Sequence, residues 1–346
     1  MAVTIYEIAR RAGVGVSTVS RYLNSSGYVG ADAARRIAAV VEETGYVSSR
    51  AASSLTTKRS GAIGFVTSSL LNPFAAELAH AMAAEAASEG FSVLSAVTDG
   101  DDDRLVHVLR DLRSHRVDGV IVTPPETPAV REELARTVAS GVPVTTIGMA
   151  IPDAAHDEVS TDTYGGALDA VRHLLEQGHR AIAVVAGPDP ERVAASRFRA
   201  YRDALDAAGL AVRAELVPAT ALDREGGAEA AARLFALDAP PTAVFAANDL
   251  AALGVLQAAH EAGLRVPDDL SVVGFDDIAM ASHATPPLTT VRQPKTAMGV
   301  RAVRLLLDRI AEPEREPRSE RLECELVVRA SVAPPRRGRE GAATDL

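Results

Sequence analysis

Cysteine is nearly missing from this chain. The single one, Cys324, excludes a disulfide framework and any multi-cysteine zinc or iron–sulfur site. Lysine occurs only at Lys58 and Lys295, so almost all basic charge is carried by arginine. No apolar run approaches the roughly 18–20 residues that a membrane span requires. The N-terminus lacks a charged-then-apolar leader and opens with polar, helix-forming residues, so a cytoplasmic protein is expected. The eight histidines show neither H-x-H nor H-E-x-x-H spacing, and no metal site is expected. A Walker loop, a G-x-S-x-G elbow and a dinucleotide fingerprint are all absent, so no cofactor and no catalytic residue is assigned. The acidic run Asp99-Gly100-Asp101-Asp102-Asp103 fails as a calcium loop. Arg104 stands where glycine is needed and Arg110 where glutamate is needed, which leaves a solvated helix start.

What remains is an ordinary globular composition: 346 residues, 47% hydrophobic and 24% charged, enough for two or three domains. The net charge of −10 looks wrong for a nucleic-acid binder until it is partitioned. Residues 1–60 hold eight basic and four acidic side chains, a net of +4, which leaves −14 for the rest. Such asymmetry fits a small polyanion-binding head on a body that DNA would repel.

Periodicity divides the head into three helices. Thr4 and Glu7 form a capping box, in which each side chain would cap the other's backbone amide. Ile5, Ile8, Ala9 and Ala12 then recur at helical spacing up to Gly13. A second helix is expected over 16–24, with Val19 and Leu23 inward and Val16, Ser17, Ser20 and Arg21 outward. A third runs over 31–44, burying Ile37, Val40 and Val41 before Gly45. Two short helices joined by Gly-Val-Gly and braced by a third make a helix-turn-helix, although a plain three-helix bundle would share the spacing.

The residues Ile5-Tyr6-Glu7-Ile8-Ala9, Ala12-Gly13-Val14 and Ser17-Thr18-Val19-Ser20-Arg21-Tyr22-Leu23-Asn24 resemble the headpiece of the LacI/GalR family of transcriptional repressors. Gly15 and Gly30 depart from it, since both stand where the family has an N-cap serine. The resemblance implies DNA contacts from Thr4, Tyr6, Val16, Ser17, Thr18, Ser20, Arg21 and Asn24. Residues 49–55 would be a hinge helix that folds on the operator. Ala52 and Leu55 match its pattern, with Leu55 wedged into the minor groove, while Ser53 replaces a common arginine.

From Gly61 onward, β-branched runs alternate with alanine-rich helical stretches, twice over. Strands are expected at 63–68, 91–97, 119–123 and 142–148, then at 182–187, 215–218, 243–248 and 271–276. This is the spacing of parallel βαβ units. Two late segments, 288–293 and 324–332, would return across the boundary and join the halves. The fold class is therefore an all-α helix-turn-helix head followed by an α/β core of two doubly wound parallel-sheet subdomains. Segments such as Pro286-Pro287-Leu288-Thr289-Thr290-Val291-Arg292-Gln293-Pro294 and Gly178-His179-Arg180 also resemble the family's periplasmic-binding-protein-like core. The expected divisions are a headpiece over 1–48 and a hinge over 49–60. One subdomain would take 61–160 with 290–320, the other 161–289 with 321–334, and a flexible tail 335–346.

Ligands of open parallel sheets bind beyond the carboxyl ends of the strands. That rule selects residues 68–74, 148–149, Gly187 onward, Asn248-Asp249 and Asp276-Asp277. The family resemblance implies effector contacts from Phe74, Asp162, Arg197, Leu222, Asn248 and Asp276, with Leu222 replacing a common stacking aromatic. Asp162 and Asp249 could instead cap helices, Arg197 could pair with a surface acid, and Phe74 could belong to the core. The partners expected are near-palindromic operator DNA, a small polar effector of carbohydrate type, and a second copy of the chain, with no membrane. Amphipathic helices at 75–87 and 296–310 are candidate dimer surfaces, although most of their apolar face would pack internally. No leucine heptad follows Pro334. Two other functions compete: a sugar-binding receptor without DNA, and an enzyme acting on a small polar metabolite. The helix-turn-helix and the missing leader count against the first. The lack of a nucleophile–base constellation counts against the second.

Overall fold

The computed structural model describes residues 3–23, 27–46, 59–123, 127–148, 151 and 154–336. The head has helices α1 (Ile5–Ala12), α2 (Val16–Leu23) and α3 (Ala31–Thr44). Their inward stripes meet as expected: Ile8, Ala9, Ala12, Val19, Ile37 and Val40 form one buried cluster. Gly13 ends α1 in the left-handed conformation at φ 63°, where a side chain would be strained. Only half of the capping box forms. Thr4 Oγ1 accepts from the Glu7 amide at 3.4 Å. The Glu7 carboxylate turns to Arg10 and Arg11 instead of the Thr4 amide, because two guanidiniums outcompete one neutral N–H for an anion.

The body contains two sheets. The first has the order β10-β5-β4-β3-β1-β2, all parallel: β1 (Ala62–Thr67), β2 (Ser92–Val97), β3 (Gly119–Val122), β4 (Val144–Ile147), β5 (Asp157–Thr161) and β10 (Ser319–Leu322). Its covering helices include α4 (Pro73–Ser88), α5 (Asp102–Ser114), α6 (Pro128–Ala139) and α12 (Lys295–Ala311). The second has the order β11-β9-β8-β7-β6, with β6 (Ile182–Val185), β7 (Ala243–Ala246), β8 (Ser271–Asp276), β9 (Thr289–Arg292) and an antiparallel edge strand β11 (Glu325–Val327). Helices α7 (Thr163–Glu176), α8 (Ala195–Ala207), α9 (Arg224–Phe235), α10 (Asp249–Glu261) and the short α11 (Ala279–His283) surround it. Strands β3, β4, β6 and β7 are buried along their whole length. Helices on both faces demand that, which is why these strands read as unbroken apolar runs.

Three segments differ from the sequence reading. Residues 215–218 join no sheet and lie at a 3₁₀ turn, Ala214–Leu216, in which Leu216 is buried while Glu215 pairs with Arg213; Pro218 could donate no ladder hydrogen bond there. Strands β5 and β10 were not anticipated. The first begins with an acid, and Asp157 can be fully buried only because Arg309 and Arg315 both bind its carboxylate. The second is an edge strand, Ser-Glu-Arg-Leu, without an apolar run. The chain crosses between sheets after Thr161, Arg292 and Leu322, a few residues later than the expected divisions. Strand pairing sets these points: β9 pairs with β8 as far as Arg292, and β10 with β5 as far as Leu322.

Helices α4 and α12 pack on one another. A side chain on Gly299 would meet the Ala81 Cβ at 2.9 Å, so their apolar faces are used within one subdomain. No helix among the described residues is long and apolar enough to cross a membrane.

Candidate nucleic-acid interface and ligand cleft

Helix α2 buries Val19 completely and presents Ser17 and Arg21 to solvent. Val16, Thr18 and Ser20 are half-buried, and Val16 leans on the head's own core. The expected reading face is thus narrower than five residues. The Arg21 guanidinium lies along its helix, with Nε donating to the Ser17 carbonyl at 3.3 Å. Its stem passes Gly27, where an added Cβ would stand 3.3 Å from Cδ. Thr4 and Tyr6 are exposed, Tyr6 at 72%. Tyr28, 88% exposed between α2 and α3, was not singled out from sequence; a phenol on a loop carries no periodic signal. Asn24, Ala52 and Leu55 lie outside the described residues.

The four other described arginines of the head are already engaged. Arg10 and Arg11 pair with Glu7, and Arg35 and Arg36 with Asp32. The two guanidiniums on Glu7 hold its carboxyl down at about 2.

In the body, three of the six expected cleft residues lie at the end of β8, on the helix after β1 and on α8. Asn72 caps α4, accepting from the Phe74 amide at 3.0 Å, and so fixes the first turn of that helix. Phe74 then packs against the apolar cluster of its own subdomain and against that of the other. The Arg197 guanidinium lies 5.1 Å above the Phe275 ring. Burial pulls its pKa down, and the nearby Asp276 charge opposes that shift. No described carboxylate forms an ion pair with it.

Asp276 is 4% exposed and sits at φ 115°, with Asp277 next to it at φ 52°. These left-handed positions are costly for side chains other than glycine, asparagine or aspartate. Gln293 Nε2 donates to Asp276 Oδ1 at 2.8 Å, and Thr161 Oγ1 donates to Gln293 Oε1 at 2.7 Å. Oδ2 of Asp276 accepts from no described residue. Burial pushes this carboxyl up to about 6, against the pull of Arg197, Gln293 and Lys295.

The remaining expected residues are placed differently. Asn248 caps α10, accepting from the Ala251 amide, and donates to the Leu222 carbonyl, both at 2.8 Å. One amide hydrogen is left for a ligand. Leu222 packs between the two clusters of the second subdomain. Asp162 caps α7 through the Gly165 amide at 2.9 Å and pairs with Arg321, which favours the capping alternative. Gln293, Thr161, Lys295 and Glu77 were assigned no role from sequence, because each becomes relevant only where separate segments meet.

Asp249 is no cap. Its fully buried carboxylate accepts from Thr290 Oγ1 at 2.5 Å and from the Ile278 amide at 2.8 Å. A side chain on Gly274 would lie only 2.2 Å from Oδ1. Burial, and then the Asp276 charge, push it up to about 8. An acid held above its unfolded pKa binds its proton more tightly when folded. The contribution of Asp249 to stability is therefore greatest below about pH 4 and is lost as pH rises toward 8. Asp249→Asn keeps an acceptor for Ile278 and can donate to Thr290. Relative to wild type, it should gain on the order of 2–4 kcal/mol at pH 9 and little at pH 5. Urea unfolding at the two pH values checks this, and an equal change at both would contradict it.

No group of described residues could hold a metal ion. A second concavity of about 650 Å³ lies on the outer face of the second subdomain, lined by Leu250, Leu253, Leu256, His260 and Met280 among others.

Comparison with known proteins follows the same two parts. Residues 4–49 match the model for "bacterial regulatory proteins, lacI family", and residues 171–332 the periplasmic binding protein-like domain. The HTH-type transcriptional regulator DegA of Bacillus subtilis is 35% identical over 335 residues, covering 96% of this chain and 99% of that protein. A crystal structure of the lac repressor dimer bound to operator and the anti-inducer ONPF covers 96% of this chain and 100% of its own, at a TM-score of 0.85 and 28% identity. A LacI family regulator from Enterococcus faecium with bound ribose covers 79% and 99%, at a TM-score of 0.70 and 31% identity.

Proposed function

The chain belongs to the lacI family of bacterial regulatory proteins, and we propose that it represses transcription from a near-palindromic operator under the control of a small carbohydrate bound between its two core subdomains. The observation that carries the effector half is the cleft itself. A guanidinium without a described carboxylate partner, a buried carboxylate whose second oxygen meets no described donor and an aromatic ring are supplied by three elements and two subdomains. Hydroxyls need both donors and acceptors, and a sugar's apolar face needs an aromatic surface such as Phe74. Arg197 and Asp276 supply one of each. The DNA half rests on α2, whose exposed Ser17 and Arg21 stand where a recognition helix meets base edges. The regulator works in the cytoplasm and catalyses nothing itself.

A two-fold dimer places two such heads on two half-sites. We assign the dimer contact on the second subdomain to the groove of α10 and α11. There Met280 is 45% exposed beside the half-buried Leu250 and Leu253, an apolar surface that a monomer would leave wet. Duplexes selected from a random library should carry a near-palindrome and give one discrete shifted band. Met280→Arg combined with Leu253→Asp should yield a monomer by light scattering at micromolar concentration and weaken that band at least tenfold. A selected sequence without inverted symmetry would sink the operator reading. An unchanged dimer would sink only the assigned groove.

A further inference from the structure

Lys295 opens α12 in the first subdomain yet is only 6% exposed. A cation at a helix N-terminus opposes the helix dipole, so local helix stability does not explain it. Its ammonium reaches back to the second subdomain, donating to the carbonyls of Asp276 at 2.8 Å and Asp277 at 2.7 Å. Its third proton faces Glu77 Oε2, 3.4 Å away on α4, one turn beyond Phe74. One side chain thus spans the strained Asp276–Asp277 turn and the helix that carries the cleft's aromatic ring.

We infer that Lys295, steadied by Glu77, latches α12 to the Asp276–Asp277 turn across the hinge, holding the two subdomains at the separation seen here and positioning Asp276 for the effector. This rests on the cleft being the effector site. The turn is part of the latch because its carbonyls point at Lys295 only while both aspartates keep positive φ. Gln293 and Thr161 tie the Asp276 carboxylate to the crossing segments themselves. A ligand that draws on Asp276 therefore pulls on the residues that set the hinge, and closure around it must move the Asp276 and Asp277 carbonyls relative to Lys295. Lys295 is a positioning residue that acts through Asp276.

The test needs no effector. In a Cys324→Ser background, spin labels at Glu89→Cys on α4 and Asp206→Cys on α8 report the separation of the subdomains by pulsed electron resonance. Excess unlabelled protein leaves one labelled protomer per dimer. The parent should show one dominant distance. Glu77→Gln removes only the exposed arm of the latch and should raise the population at other distances about two- to fivefold, as expected for breaking one partly exposed ion pair. Lys295→Met should shift it further, and adding Glu77→Gln to Lys295→Met should add nothing. An unchanged distribution in Glu77→Gln overturns the latch, even if Lys295→Met lowers the melting temperature or fails to fold. Loss of the effector reading would appear elsewhere, as an unaltered response of Asp276→Asn, and would leave the measured distances as they are.

Discussion

Asp276→Asn is expected to cost effector affinity about 10- to 100-fold while leaving folding and dimerisation intact. Asparagine is the informative replacement because it tolerates the positive φ at this position and can still accept from Gln293. What it removes is the negative charge opposite Arg197 and the anionic oxygen that would receive a ligand hydroxyl. A hydrogen bond to a charged group contributes about 1.5–3 kcal/mol, which sets the expected loss. Ribose and other neutral sugars, screened by thermal shift on the full chain, supply the probe, and calorimetry on the variant then measures its affinity. Coupling to DNA should weaken as well, since a change of about 5- to 150-fold in operator affinity requires only about 1–3 kcal/mol between the sites. Linkage also demands that operator DNA alter the sugar's affinity by the same factor in wild type. An unchanged affinity in Asp276→Asn would mean that the polar anchor lies elsewhere.

Operator affinity should fall by about 10²–10³ between about 50 and 200 mM salt, corresponding to about two or three phosphates neutralised per protomer. The number of basic residues alone would suggest more. In the structure, Arg10, Arg11, Arg35 and Arg36 face acids on their own helices. Exposed pairs of this kind are weak, and an arginine can exchange its acid for a phosphate at little cost. The acid nevertheless stays nearby and reduces the counterion release. Among the described residues no acid pairs with Arg21, so it should dominate: Arg21→Ala should weaken binding and flatten the slope by about one unit per half-site. Filter binding across a salt series measures both quantities, and a flat profile would exclude phosphate anchoring.

Much of the molecule was legible because local periodicity and burial agree. The three head helices, the four strands of the first βαβ series and most of the second follow from apolar spacing alone. Apart from the edge strand β2, their side chains are buried along most of each strand or along single helical stripes. Legibility failed where a polar residue is buried by a distant partner. Strand β5 begins with Asp157, which reads as a loop until Arg309 and Arg315 arrive from far along the chain. The 3₁₀ turn near Leu216 reads as a strand because its apolar residues are real, but no neighbouring strand offers them a ladder.

The cleft divides in the same way. By itself the sequence determined the two-part architecture, the charged head and the strand ends at which a ligand must bind, since these depend on composition, period and chain direction. The family resemblance pointed to Phe74, Arg197 and Asp276 as ligand contacts. Only the tertiary structure decided what each does. It turned Asn248 into a cap, left Arg197 without a carboxylate partner and made Asp249 a buried acid beneath Gly274. It also brought Lys295 against two carbonyls and Glu77. The physical reason is that hydrogen bonds and desolvation depend on distances of a few ångströms between segments hundreds of residues apart, and no local pattern in the chain encodes those distances.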